Sequence, residues 1–157
     1  MTNRHIAATL FNIATILDLA QDNIYRVRAY RYAARRILSL REEAADIVAR
    51  GEELPLPGVG TRIRRKLAEL IGSGSLSFYQ ELLEDQPRHV RQLMAIEGIG
   101  PKLAQRLFSD LGISTPEELI QAAARGQLQT LYGVGRRREE LLAEAARAVV
   151  APLPEAA

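Results

Sequence analysis

The chain has 157 residues, 47% of them hydrophobic and 25% charged, and a formal net charge of +2 at neutral pH. That is enough apolar material for one compact domain or two small ones, and too little net charge to name a partner by itself. The absence of cysteine excludes disulfides and thiolate metal sites, and with only His5 and His89, far apart in sequence, no zinc site is expected.

Only 5% of residues are aromatic, there is no Trp, and long runs are rich in Ala, Leu, Arg and Glu, so an all-α fold is expected. The first element is an amphipathic helix over residues 6–17. Ile6, Leu10, Ile13 and Leu17 recur at helical spacing, Asn12 and Asp18 interrupt the apolar run, and no small-x-small cleavage site follows. It therefore reads as part of a folded domain and not as a secretory signal. No segment approaches the roughly 20 consecutive apolar residues that a membrane span needs. The chain is expected in the cytoplasm, associated with the nucleoid, with no membrane partner.

Residues 23–40 hold five arginines interleaved with Tyr25, Tyr30 and Tyr32. In a helix, Tyr30, Ala34 and Ile37 share one face, and Arg28, Arg31 and Arg35 form a stripe opposite. Such a stripe suits a phosphate backbone; the alternative is a solvated face pairing with Glu42 and Glu43. A further helix is expected over 41–50.

Three turns then repeat one pattern. Leu56-Pro57-Gly58-Val59-Gly60, Ile96-Glu97-Gly98-Ile99-Gly100 and Leu131-Tyr132-Gly133-Val134-Gly135 all read apolar-x-Gly-apolar-Gly. Each precedes an amphipathic helical stretch, with Ile63, Leu67 and Leu70 on the apolar face of the first, Leu103 and Leu107 of the second, and Leu141, Leu142 and Ala145 of the third. Two helices joined by such a turn make a helix-hairpin-helix. The glycines permit backbone conformations closed to other residues and let a phosphate approach the amides that open the second helix. Val59, Ile99 and Val134 are expected to point inward. Backbone carbonyls on the other side, of Leu54, Leu56 and Val59 in the first turn and of Met94, Ile96 and Ile99 in the second, are expected to hold Na+ or K+ when DNA is bound; no other cofactor is expected. One Gly-x-Gly before a helix is a weak signal, since many helix starts use glycine for geometry alone. Three copies in register are a stronger one.

Phosphate contacts are accordingly expected at Gly58, Val59 and Gly60, at Gly98, Ile99, Gly100 and Lys102, and at Gly133, Val134, Gly135 and Arg136. In the third copy the run Arg136, Arg137 and Arg138 has the alternative of a solvated helix start. Other helices are expected over 77–84, 88–94 and 116–124, the last opened by Thr115 as cap and Pro116 in the first turn. Pro87 is the best boundary. It divides the chain into unit 1–85 with one hairpin, unit 86–150 with two, and a disordered tail over 151–157. Residues 1–75 hold 12 Lys and Arg against 8 Asp and Glu, and residues 76–157 hold 9 against 11, so basic surface is concentrated toward the amino terminus.

Arg26-Val27-Arg28-Ala29-Tyr30-Arg31, then Leu56-Pro57-Gly58-Val59-Gly60-Thr61-Arg62-Ile63 with Lys66, then Gly98-Ile99-Gly100-Pro101 together resemble the amino-terminal region of family X DNA polymerases, the bacterial ones in particular. The resemblance covers nearly the whole chain. It implies a helical lyase-like first unit that binds the 5′-phosphate side of a DNA gap, followed by a paired helix-hairpin-helix domain on the primer side. Arg26, Tyr30 and Arg62 then belong to the phosphate site, with Arg28, Arg31 and Arg35 beside it and Lys66 as the candidate Schiff-base nucleophile. The match departs from the family where lysines are frequent: Arg26 and Arg62 replace two, and Phe78 stands at an auxiliary lysine position. Nothing in these residues matches a β-sheeted palm with three carboxylates or a His- and Asp-rich phosphoesterase domain, so no polymerase activity is expected of this chain.

Three functions compete on this basis. The first is a DNA-binding module for gapped, nicked or branched DNA in repair, working with a polymerase or nuclease partner chain. The second is a deoxyribose-phosphate or abasic-site lyase using Lys66. The third is an interaction module whose hairpin amides face protein instead of phosphate.

Overall fold

The structure, a computed structural model, describes residues 1–151, and the tail expected over 151–157 lies outside the described residues apart from Ala151. Every regular element among the described residues is helical: α1 (Asn3–Leu19), α2 (Ile24–Leu38), α3 (Ala44–Ala49), α4 (Thr61–Ser73), α5 (Ser77–Glu84), α6 (Arg88–Met94), α7 (Pro101–Leu111), α8 (Pro116–Ala124) and α9 (Arg136–Val150), with a 3₁₀ turn at Gln127–Thr130. The chain divides into two compact units, Met1–Asp85 and the part from Gln86 onward. No helix among the described residues is long and apolar enough to cross a membrane.

In the first unit α1 and α2 form the main pair. Ile6, Leu10, Ile13 and Leu17 of α1 and Val27, Tyr30, Ala34 and Ile37 of α2 are buried in one cluster, which α4 completes with Ile63, Leu67 and Leu70. Each fully buried aliphatic side chain of this kind contributes about 1.5–3 kcal/mol relative to exposure. The helix starts follow from capping chemistry. Thr2 Oγ1 accepts from the His5 amide at 3.2 Å to open α1, and Asn23 Oδ1 accepts from the Tyr25 amide at 2.9 Å to open α2.

The helix expected over 41–50 is shorter, Ala44–Ala49, because a distant residue sets its start. Asn3 is buried; its Oδ1 accepts from the Ala44 amide at 2.7 Å and its Nδ2 donates to the Glu42 carbonyl at 2.8 Å. The Asn3 amide donates to the Glu43 carboxylate. The first turn of α1 thereby anchors the segment that leads into the first glycine turn.

In the second unit Val90 and Leu93 of α6, Leu103 and Leu107 of α7, Leu119 of α8 and Leu142 and Ala146 of α9 pack around Ile99 and Val134. The apolar face of α9 is rotated from the expected one. Leu141 is 52% exposed, and the buried line runs Glu139, Leu142, Ala143 and Ala146. A buried carboxylate sets that phase: Glu139, 5% exposed, accepts from the Leu128 amide at 3.0 Å and from Gln129 Nε2 at 2.7 Å. It holds the 3₁₀ turn against α9, and burying it without those donors would cost several kcal/mol.

Candidate nucleic-acid interface

The three glycine turns have one backbone geometry. The first glycine is left-handed in each, with φ of 83° at Gly58, 91° at Gly98 and 83° at Gly133. Only glycine adopts that region without strain. The next residue turns inward, so that Val59, Ile99 and Val134 are all buried, and its amide donates to the carbonyl of Leu56, Ile96 or Leu131 at 3.2, 3.2 and 3.1 Å. The second glycine, Gly60, Gly100 or Gly135, is extended and is the N-cap of α4, α7 or α9. Glycine has no side chain to accept from the first-turn amides, and none of these three caps makes a side-chain hydrogen bond. The amides that open each helix therefore point outward as donors, one fewer in α7 because Pro101 has none. Helix dipole and amide direction together suit an anion there.

The two glycines of a turn do different things. A Cβ on Gly58 would lie 2.9 Å from the Tyr32 hydroxyl, which donates to the Pro57 carbonyl at 2.7 Å. The missing side chain of Gly58 thus makes room for a tyrosine ring. A Cβ on Gly98 would meet Leu142 at 3.4 Å, another packing contact. Gly60 and Gly135 face open space, with nothing within 4 Å of a built Cβ, so a phosphate has its clearest approach there.

Beside the first turn, α2 and the start of α4 enclose a pocket of about 480 Å³. It brings together Arg26 and Tyr30 from α2 with Gly60, Arg62 and Lys66 from α4, residues that lie far apart in sequence. Phe78 of α5 orders the cations: the Arg26 guanidinium lies 5.1 Å and Lys66 Nζ 5.0 Å from its ring centroid, and Tyr30 stacks on it at 6.2 Å. Arg26 also pairs with Asp22 at 3.3 Å. Burial pushes the Tyr30 hydroxyl up from its ordinary value, with the charge of Arg26 opposing, so it remains a donor at neutral pH. Glu69 accepts from the Ser77 amide and hydroxyl at 3.1 and 2.6 Å. Those bonds hold the Glu69 carboxyl below the usual carboxylate range.

The arginine stripe of α2 is not uniform. Arg28 and Arg35 are exposed, whereas Arg31 donates to Asp18 of α1 at 3.2 Å. Glu42 and Glu43 are engaged elsewhere, Glu42 with Arg50 at 3.0 Å and Glu43 with the Asn3 amide. In the second unit Lys102 is exposed in the first turn of α7. At the third turn Tyr132 is 92% exposed, Arg136 pairs with Glu140 at 3.3 Å, and Arg138 donates to the Gly133 carbonyl at 3.3 Å. Arg106 of α7 donates to the Tyr132 carbonyl at 2.7 Å, tying the third turn to the helix that follows the second.

Reasoning from the sequence missed Arg64. Its Nε donates to the Val59 carbonyl at 3.0 Å, Nη1 to that of Leu54 at 3.2 Å and Nη2 to that of Leu56 at 2.7 Å. These are the three oxygens of the first turn expected to face a monovalent cation. The signal available was position: a helical side chain leans toward the helix amino terminus, so an arginine one turn inside α4 reaches back over the hairpin.

Two family models match the chain, a helix-hairpin-helix domain over residues 1–76 and a SAM-like helix-hairpin-helix tandem over residues 90–148. The chain is 28% identical over 145 residues to the DNA polymerase/3′-5′ exonuclease PolX of Bacillus subtilis, a match covering 92% of this chain and 25% of that protein. It is 32% identical over 85 residues to the Holliday junction branch migration complex subunit RuvA of Xylella fastidiosa strain M23, covering 54% of this chain and 44% of that one. To the same subunit of Chlorobium phaeovibrioides it is 31% identical over 91 residues, covering 58% and 46%. The chain thus spans a quarter of the polymerase and less than half of either junction protein.

Proposed function

We propose that this chain, a helix-hairpin-helix protein whose parts follow the order of the amino-terminal region of family X DNA polymerases, binds gapped, nicked or branched DNA through backbone phosphates in repair or recombination. The observation that carries the reading is the shared geometry of the three glycine turns, each opening a helix whose first amides have no side-chain cap. Phosphate contacts carry no sequence information, so binding is indifferent to base sequence. The pocket of Arg26, Tyr30 and Arg62 gives the first unit a place for a terminal 5′-phosphate, which arginine can hold with two parallel hydrogen bonds. Relatives named as a DNA polymerase and as a Holliday junction subunit support DNA as the partner. The test is binding to gapped, nicked and intact duplexes over a range of salt. Log affinity should fall linearly with log salt, by about 0.9 for each phosphate neutralised. Equal, salt-independent affinity for all three duplexes would refute the reading.

A second reading has one observation in its favour: Lys66 lines the same pocket as Arg62. A lysine beside a bound 5′ end can attack the sugar aldehyde of an abasic site, forming a Schiff base with loss of water, after which β-elimination releases the phosphate on the 3′ side. Borohydride reduction of that Schiff base on a 5′-deoxyribose-phosphate substrate would leave a covalent adduct, absent in Lys66→Ala.

A further inference from the structure

The strongest feature outside the phosphate pocket is the seat of Arg64. Three backbone carbonyls, those of Leu54, Leu56 and Val59, converge on the inner side of the first glycine turn, and a single guanidinium donates to all three. Converging carbonyl oxygens with lone pairs to spare attract a small cation that can exchange its hydration shell for them. Here the charge is covalently attached to the fourth residue of α4. Arginine suits the place because its guanidinium never loses its proton and its donors fan out in one plane.

The same helix position differs in the other two turns. The fourth residue of α7 is Ala104, buried and without any donor. The fourth residue of α9 is Glu139, which has no proton to give as a carboxylate and accepts from Leu128 and Gln129 instead. One site in three repeats thus holds a built-in cation, a methyl group and an anion turned away.

We propose that Arg64 is the resident cation of the first hairpin, taking the place of a monovalent metal ion, so that this hairpin grips phosphate with no requirement for Na+ or K+. The proposal rests on the phosphate-binding reading of the turns. The bond to Val59 also has an electronic consequence. That carbonyl shares its peptide group with the Gly60 amide, and a charged donor on the oxygen polarises the N–H toward a better donor for the phosphate. Charge and polarisation are both present before DNA arrives.

The experiment compares the full chain with Arg64→Met, which keeps most of the stem and removes the charge, on a gapped duplex in potassium chloride and in tetramethylammonium chloride at equal ionic strength. Tetramethylammonium has no way to be seated by three carbonyls. Loss of Arg64 leaves the Val59 carbonyl without its donor, and leaves those of Leu54 and Leu56 with only the Leu56 and Val59 amides, unless K+ enters, so the ratio of affinity in potassium to affinity in tetramethylammonium should be about tenfold larger in the variant than in wild type. Comparing ratios cancels any ion dependence of the second hairpin. Independently of how the variant folds, the wild-type amide resonances of Gly60, Arg62 and Ile63 should shift on DNA addition equally in both salts. Equal ratios in the two proteins, or wild-type amides that respond only in potassium, would overturn the proposal while the phosphate-binding reading stands. A wild type that binds DNA in neither salt removes that reading and this proposal with it.

Discussion

Lys66 Nζ lies 5.0 Å from the centroid of the Phe78 ring, and the Arg26 guanidinium lies over the same ring at 5.1 Å. An aromatic face attracts the ammonium form of lysine, by roughly 0.5–2 kcal/mol depending on exposure. Schiff-base attack needs the lysine nitrogen free to reach the aldehyde, so a ring that holds it in place would work against lyase chemistry. Phe78→Leu is therefore expected to raise the yield of borohydride-trapped adduct several-fold over wild type. Lys66→Ala in the same background should remove the adduct while gapped-DNA binding persists. An unchanged yield in Phe78→Leu would show that the ring has no hold on the reaction.

The two glycines of the first turn are expected to separate on mutation. Gly60→Ala adds a methyl group in open space on extended backbone, so melting should move little while DNA affinity falls through the obstructed approach of phosphate. Gly58→Ala forces a left-handed alanine against Tyr32 and should cost about 1–3 kcal/mol of stability. Thermal melts beside binding isotherms check both. If Gly60→Ala binds as well as wild type, the first turn does not meet phosphate at its cap.

Preference for a 5′-phosphorylated gap is expected to depend on Arg62 and Arg26. Arg62→Ala should bring affinity for phosphorylated and unphosphorylated gaps to within about twofold of each other, with a loss of about 1.5–3 kcal/mol on the phosphorylated one, the range for a hydrogen bond to a charged group. Arg26→Ala should do the same more weakly, because Asp22 already shares its charge. Competition binding with the two oligonucleotides measures the ratio. A phosphate preference that survives the double variant would relocate the site.

Glu139→Ala is expected to destabilise the second unit by about 1–3 kcal/mol, since it leaves the Leu128 amide buried without an acceptor. Glu139→Gln, which keeps one acceptor oxygen, should lose less. Urea unfolding of the three proteins orders them. If alanine proves as stable as glutamate, a water has replaced the carboxylate.

Much of the helical layout was legible because local chemistry marks it. α8 opens on Thr115 and Pro116, whose side chain and ring define a first turn, and its start and end coincide with expectation, as do those of α5 and α6. The shortened α3 could not be foreseen, because its start is set by Asn3, some forty residues earlier. The phase of α9 was misjudged for a related reason: Leu141, Leu142 and Ala143 are consecutive, so periodicity allows more than one face, and the choice falls to Glu139 meeting donors on the 3₁₀ turn. Arg26, Tyr30, Arg62 and Lys66 were named from the sequence and lie around one pocket, but Phe78 was noted only for the lysine it lacks. Arg64 sat unnoticed in the run Arg62-Ile63-Arg64-Arg65-Lys66. A long polar side chain carries no sequence mark of whether it will turn to solvent or back over its own hairpin.

The hydrogen bond from Arg106 to the Tyr132 carbonyl makes the last two glycine turns a calliper. Its jaws share a strut, so moving one apart from the other costs about the 1 kcal/mol of a hydrogen bond. If both turns bind phosphate as proposed, a pair linked in this way favours a strand whose phosphates lie at one particular span.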